Sequence, residues 1–213
     1  MMVPKNRKER PKEDLRKQIL DAAKVVFKQE GFEATSIRKI ASAIGYSPTT
    51  IYLYYKDKSE IIHALHTEGF ALLNSRFSVL AMVEHPFERL KAMGRIYMQF
   101  AMEHSDFYEV MFIMREPVDY LANYCQNEEW MEGSTAFYAL LQSVEACMAE
   151  GYFKNYEPIQ MVMVIWAFMH GLCTMKIVGH LDQIATNKSQ LPDPGTLMED
   201  TFQAFVRLIE STQ

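Results

Sequence analysis

The sequence predicts an all-α fold in two parts: a small three-helix domain holding a helix-turn-helix, then a larger helical domain. Three observations carry this. Apolar residues recur at helical spacing almost throughout the 213 residues, and no stretch alternates convincingly as a strand. Between residues 36 and 61 two short helical patterns meet at one glycine turn, with a further helix start behind them. Charge is segregated: residues 1–58 carry 13 Lys and Arg against 7 Asp and Glu, and residues 59–213 carry 9 against 20. The overall balance of −5 therefore hides a basic end, which DNA attracts, and an acidic remainder, which DNA repels.

The elements follow in order. Lys5, Arg7, Lys8, Arg10 and Lys12 make a flexible basic arm suited to a groove or phosphates beside a main site. Leu15, Ile19, Ala22, Ala23, Val26 and Phe27 form the apolar face of a first helix, with Gly31 at its C-terminal cap and Phe32 as the apolar contact behind it. Ile37, Ile40, Ala41 and Ile44 line a second helix that Thr35 or Ser36 caps. Gly45 ends it, where a left-handed backbone carries no steric penalty for glycine. Ser47 and Pro48 restart a helix at once, serine as cap and proline at the first helical position, where its missing N–H is not needed. Ile51 and Tyr55 keep the inner face of that helix apolar, while Thr49, Thr50, Tyr54 and part of Tyr52 form its outer face. Asp57 followed by Glu60 resembles a capping box for the next helix.

A polar outer face on the second helix of such a unit suits DNA. Small hydroxyl residues near its start approach base edges and phosphates, and tyrosines and Lys58 hold the phosphate backbone. A helical hairpin that only packs is the alternative reading of a glycine turn, and the Ser-Pro restart and following lysine argue against it.

The run Gly-Phe-x-x-Thr-Ser-Ile-Arg-x-Ile-Ala-x-x-x-Gly-Tyr-Ser-x-x-Thr-Ile-Tyr-x-Tyr-Tyr-x-x-Lys-x-x-Ile, from Gly31 to Ile61, resembles the DNA-binding domain of TetR-family transcriptional regulators. The resemblance covers about residues 12 to 62. It implies a two-domain, all-helical homodimer, usually a repressor released from a double-stranded DNA operator by a small ligand, while the cysteine usage discussed below points to the cytoplasm. By position it places Ser36 and Arg38 where the family's second helix touches phosphate and groove. Ser47, Pro48, Thr49, Thr50, Tyr52 and Tyr54 fall in the recognition helix, and Lys58 at a helix start that often meets phosphate. Tyr46 fills a turn position that often holds Val or Met, which points to packing. Few of these residues make bidentate base contacts, so phosphate and apolar contacts are expected to carry much of the binding.

Residues 1–58 are thus expected to form the DNA-binding domain and residues 59–213 a ligand-binding and dimerisation domain. In the latter, a long helix runs from Asp57 to about Leu80, another starts at Pro86, and a short apolar one spans His104 to Met114, ending near Glu116-Pro117. Further helices are expected from Glu128 to Glu150, from Pro158 to His180, and along Leu197, Thr201, Phe205, Leu208 and Ile209. The helix from Pro158 is apolar over most of its circumference, as a helix buried on all sides is, either in the domain centre or under a partner chain. Its Trp166, His170 and Gly171 resemble the Trp-x-x-x-His-Gly element of one C-terminal subgroup of the same family. Gln160, His170 and Lys176 interrupt the run, and with no signal peptide or second span in view no membrane partner is expected.

Thirteen of the 15 methionines and 20 of the 26 aromatic residues follow residue 58. Flexible Met and flat rings suit an adaptable apolar pocket as well as an ordinary core. The candidate pocket residues are Met98, Met102, Phe107, Phe112, Tyr120, Tyr124, Trp130, Phe137, Tyr138, Met163, Trp166 and His170, for an apolar or aromatic ligand with one or two polar handles. Cys125, Cys147 and Cys173 are scattered and odd in number, which argues against a structural disulfide set and fits a reducing compartment. No zinc, Walker or Gly-x-Ser-x-Gly pattern frames the His, Ser and Asp residues, so no metal, cofactor or catalytic role is assigned. The alternative is a DNA-binding protein of the same fold controlled by a protein partner or by no ligand.

Overall fold

The computed structural model describes residues 12–124, 131–187 and 192–211, and among these there is no strand. The basic arm up to Arg10 and the candidates Cys125 and Trp130 lie outside the described residues, as does the side chain of Tyr124. Contacts divide the chain into two compact units, Met1–Glu68 with Glu109–Asn127, and Gly69–Tyr108 with Glu128–Gln213.

The first unit holds α1 (Lys12–Ala34), α2 (Ile37–Ala43), α3 (Pro48–Tyr52), the start of α4 (Lys58–Ser78) and α7 (Glu116–Tyr124). Gly31 departs from helical geometry inside α1, with φ 77°, and the Phe32 ring lies tilted against Phe27 at 5.6 Å between ring centroids. Ile19, Ile40, Ile51, Ile61 and Leu65 are fully buried and make a small shared core.

The second unit packs α5 (Pro86–Glu103), α8 (Met131–Ala149), α9 (Pro158–Ile177) and α11 (Pro194–Glu210), with α10 (His180–Asn187) against α9 and α11. Gly94 of α5 lets that helix approach α11: a Cβ there would sit 2.8 Å from the Phe202 ring. The Phe168 and Phe205 rings stack at 3.8 Å and join α9 to α11.

Several boundaries differ from expectation. The long linking helix ends at Ser78 and tightens into a 3₁₀ turn, Val79–Met82. The stretch from His104 is not one helix but a short α6 (Ser105–Tyr108) followed by a π-helical turn, Glu109–Ile113. Pro117 then sits inside the first turn of α7, where no carbonyl partner is needed, so it starts a helix that the sequence reading ended there. Gly179, with φ 82°, separates α9 from α10.

The largest difference concerns α9. Within one chain it is not buried on all sides, which rules out the domain centre and leaves cover by a partner chain open: Met163 (52% exposed), Val164 and Met175, with Val178 just after the helix, lie on an exposed apolar face, and Leu208 of α11 is 66% exposed. The opposite face, with Met161, Val162, Ile165, Met169, Leu172 and Cys173, is buried. By length and composition α9 could cross a membrane, but only a third of its apolar window is buried, so packing within one chain does not account for its composition.

Candidate nucleic-acid interface and effector region

The helix-turn-helix is built from local capping. Ser36 caps α2 by accepting a hydrogen bond from the Lys39 N–H at 3.3 Å, while the Thr35 hydroxyl donates to the Gly31 carbonyl at 2.7 Å. Gly45 adopts φ 69° with open space where a side chain would sit, so the backbone angle alone requires glycine. The Tyr46 N–H then donates to the Ala41 carbonyl at 2.9 Å and closes the turn. Ser47 caps α3, accepting from the Thr50 N–H at 3.2 Å and sharing a 2.9 Å hydrogen bond with the Thr50 hydroxyl.

The inner face of α3 is anchored by Ile51, fully buried, and Tyr55, 4% exposed. The Arg16 guanidinium lies 5.3 Å from the Tyr55 ring centroid, and burial raises the Tyr55 hydroxyl above its ordinary pKa. Ser36, Arg38, Ser47, Thr49 and Tyr52 are exposed, whereas Pro48, Thr50 and Tyr54 are half-buried. Leu53, which sequence reasoning passed over, is 78% exposed. Its spacing of four from Thr49 was the signal that could have found it.

The cations are less free than the sequence suggests. Lys58 donates to the Phe32 carbonyl at 2.9 Å and the Glu33 carbonyl at 3.4 Å, with its ammonium 4.1 Å from the Phe32 ring centroid. It thereby closes the end of α1. Lys39 is paired with Glu30 and donates to the Ala34 carbonyl at 2.8 Å. Asp57 caps α4 by accepting from the Glu60 N–H at 2.8 Å, but the Glu60 carboxylate reaches the Lys56 N–H, at 2.6 Å, rather than that of Asp57.

Behind this head, α7 lies against the start of α4. Tyr120 stacks on His63 at 4.8 Å, and the Lys56 ammonium lies 5.4 Å from the Tyr120 ring centroid. His66 is 1% exposed, and burial, reinforced by the neighbouring His63, pulls its pKa down to about 4.

In the second unit the Trp-x-x-x-His element anchors a polar cluster within apolar packing. Trp166 Nε1–H donates to His170 Nε2, so Nδ1 carries the proton of the neutral ring. That Nδ1–H faces the Tyr97 hydroxyl oxygen at 2.7 Å and the Tyr108 one at 3.1 Å. The Tyr108 O–H is left to donate to the His170 carbonyl at 3.2 Å or the Thr174 hydroxyl at 3.0 Å. Burial holds His170 neutral, with a pKa lowered to about 4, and raises Tyr97 well above its ordinary value.

The candidate pocket residues fall in both compact units. Met98, Phe107, Phe137, Trp166 and His170 belong to the second unit, with Phe137 and Trp166 at 5.8 Å between rings. Phe112 and Tyr120 belong to the first. Met102, Tyr138 and Met163 are exposed at 37%, 57% and 52%. No group of three or more His, Cys, Asp or Glu residues among the described residues is placed to hold a metal.

Comparison with known proteins agrees with this geometry. The family model described as bacterial regulatory proteins, tetR family, matches residues 19–65, and that for the tetracyclin repressor-like C-terminal domain matches residues 90–194. The uncharacterized HTH-type transcriptional regulator YfiR of Bacillus subtilis (strain 168) is 37% identical over 68 residues, 32% of this chain and 33% of that protein. The fatty acid metabolism regulator protein of the same organism is 41% identical over 51 residues, 24% of this chain and 26% of that protein. The matched region thus spans about a quarter to a third of these curated relatives. A bacterial regulatory protein in the tetR family from Rhodococcus RHA1 shares the fold, with a TM-score of 0.68 at 17% identity over 91% of this chain and 96% of that one.

Proposed function

Because this chain belongs to the TetR family of DNA-binding transcriptional regulators, we propose that it is a cytoplasmic homodimeric repressor, not an enzyme, released from its operator by a small apolar or aromatic ligand. Residues 1–58 bind DNA, through Ser36, Arg38 and the outer face of α3, and residues 59–213 receive the ligand and pair the chains. The observation that carries the reading is the pair of unpartnered surfaces. One is the exposed hydroxyl, tyrosine and leucine face of α3, and the other is the exposed apolar face of α9, with Leu208 exposed on α11.

Two copies meeting through α9 and α11 cover the second surface and bring two recognition helices to one duplex, at half-sites about 34 Å apart. The His170 cluster supplies a polar handle amid apolar side chains. A ligand that binds better to a dimer unable to span both half-sites then lowers DNA affinity, by no more than its differential affinity for the two states. α7 is the natural relay within the head, since Tyr120 touches His63 and Lys56 at the root of α4.

Selection of duplexes from a random pool by the purified protein tests the reading. Affinity for the selected duplex is expected to fall steeply with salt and to drop on replacing Tyr52 or Arg38 by Ala. A thermal-shift screen of apolar compounds then seeks the effector, whose binding raises the melting temperature and weakens DNA binding. Failure to select any duplex refutes the DNA assignment. Compounds that bind without changing DNA affinity refute the release mechanism.

A further inference from the structure

Resting on the DNA-binding reading above, we infer that Leu53 is a specificity determinant that reads thymine through its 5-methyl group in the major groove. The argument starts from what α3 lacks. From Tyr46 to Tyr55 there is no Arg, Lys, Asn, Gln, Asp or Glu. Those side chains make the bidentate contacts to guanine and adenine and accept from cytosine. Ser47 and Thr50 also spend their hydroxyls on each other and on the cap of α3. Hydrogen-bonded readout by this helix is therefore sparse.

What the helix offers instead is apolar surface. The backbone at Leu53 keeps right-handed helical angles, φ −74° and ψ −14°, so it continues the spiral of α3. Thr49 and Leu53 are four residues apart and Thr49 and Tyr52 three apart, which sets the three on one side. All three are exposed, Leu53 at 78% and Tyr52 at 56%. Ile51 and Tyr55, on the other side, are buried.

A leucine held in water on the outward side of a recognition helix gains from DNA at one kind of group. Phosphates, sugars and the other base edges offer it charge or hydrogen bonds, whereas the thymine methyl offers apolar area. The positive balance of the head and the exposed Arg38 on the preceding helix favour the approach of this side to a polyanion such as a DNA duplex. Each half-site of the operator is thus expected to carry thymine under Leu53.

Replacing thymine by uracil tests this, because it deletes the methyl and leaves every hydrogen-bonding group in place. The full-length protein and a duplex it has selected are used, and uracil is introduced one position at a time while affinity is followed by fluorescence anisotropy at fixed salt. Burying one methyl-sized group predicts a loss of about fourfold at one or two thymines per half-site. Leu53→Ala is expected to weaken binding to the thymine duplex and to remove the discrimination against uracil at that position. Its melting temperature should match the wild type, as the side chain is almost fully solvated. Uracil tolerated at every position overturns the inference, and so does a uracil penalty that survives in Leu53→Ala while the protein still binds DNA. If no duplex is selected at all, the DNA-binding premise itself fails and the inference falls with it.

Discussion

Stability should decline between pH 7 and pH 5, before most carboxylates titrate, because His66 is buried neutral. It is 1% exposed, and burial with help from His63 lowers its pKa from 6.5 to about 4. In the unfolded chain the same imidazole takes up a proton near pH 6.5. Between the two values the unfolded state binds more protons, so stability is fully present above pH 6.5 and is lost as pH falls toward 4. For one group shifted by this amount, the loss from pH 7 to pH 5 is about 2 kcal/mol. That is a large part of the roughly 5–15 kcal/mol that holds a typical domain. His170 is also held near 4 by burial and adds in the same direction, by less because it is only half-buried. Urea unfolding at one protein concentration, at pH 7, 6 and 5, measures the effect in the wild type and in His66→Gln. The wild type should lose about 2 kcal/mol more than the variant over this range. A wild-type midpoint that stays fixed, or a variant that loses as much, refutes the assignment of His66 as a buried neutral group.

Four further outcomes follow from the geometry. Met163→Glu with Leu208→Glu places charge on the free α9 and α11 face, and should leave a monomer in sedimentation velocity and weaken operator binding by about 100-fold or more, through loss of bivalency. Gly94→Ala gains about 1 kcal/mol of helix propensity but drives a methyl into Phe202, which typically costs about 1–3 kcal/mol, so urea unfolding should show a net loss. Ser47→Ala removes the cap of α3 and should lower stability by about 1 kcal/mol in the same assay, while also weakening operator binding because α3 frays. Lys58→Met should lower stability by about 1 kcal/mol by removing the ammonium's hydrogen bonds to the Phe32 and Glu33 carbonyls, the former keeping only its bond from the Thr35 N–H, with the salt slope of DNA binding unchanged.

The head was legible in the sequence because its structure is local. Each device there acts within four residues: Gly45 at positive φ, the Ser36 and Ser47 caps, Pro48 at the first helical position. Such signals need no knowledge of the rest of the chain. The larger unit was legible as helical, but its divisions were not. The π-helical turn Glu109–Ile113 and the start of α7 arise where packing decides the path, and Pro117 is compatible with either end of a helix. The exposure of α9 was hidden for a related reason. Composition reports that a surface is apolar and is silent on whether the same chain or a second copy covers it. Aromatic and Met enrichment marks core, interface and cavity alike, so it singles out no pocket by itself.

The cations of the head show why a charge count overstates the electrostatic part of recognition. Residues 1–58 hold 13 Lys and Arg, yet several of them are engaged in contacts within the protein. Lys58 and Lys39 tie down backbone carbonyls at the end of α1, Lys24 pairs with Asp21, Arg16 packs over Tyr55 and Lys56 over Tyr120. Among the described residues of the head this leaves Arg38, Lys17 and Lys28 exposed and uncommitted. Each phosphate neutralised adds about 0.9 to the slope of log affinity against log salt, so three free cations per head hold the folded head's share to about five or six for a dimer. Any steeper slope must come from the basic residues that precede α1. Affinity through those residues and α1, and selectivity through the uncharged face of α3, then rest on different parts of the head, so Leu53 and Thr49 can be changed to alter sequence preference without changing the salt dependence.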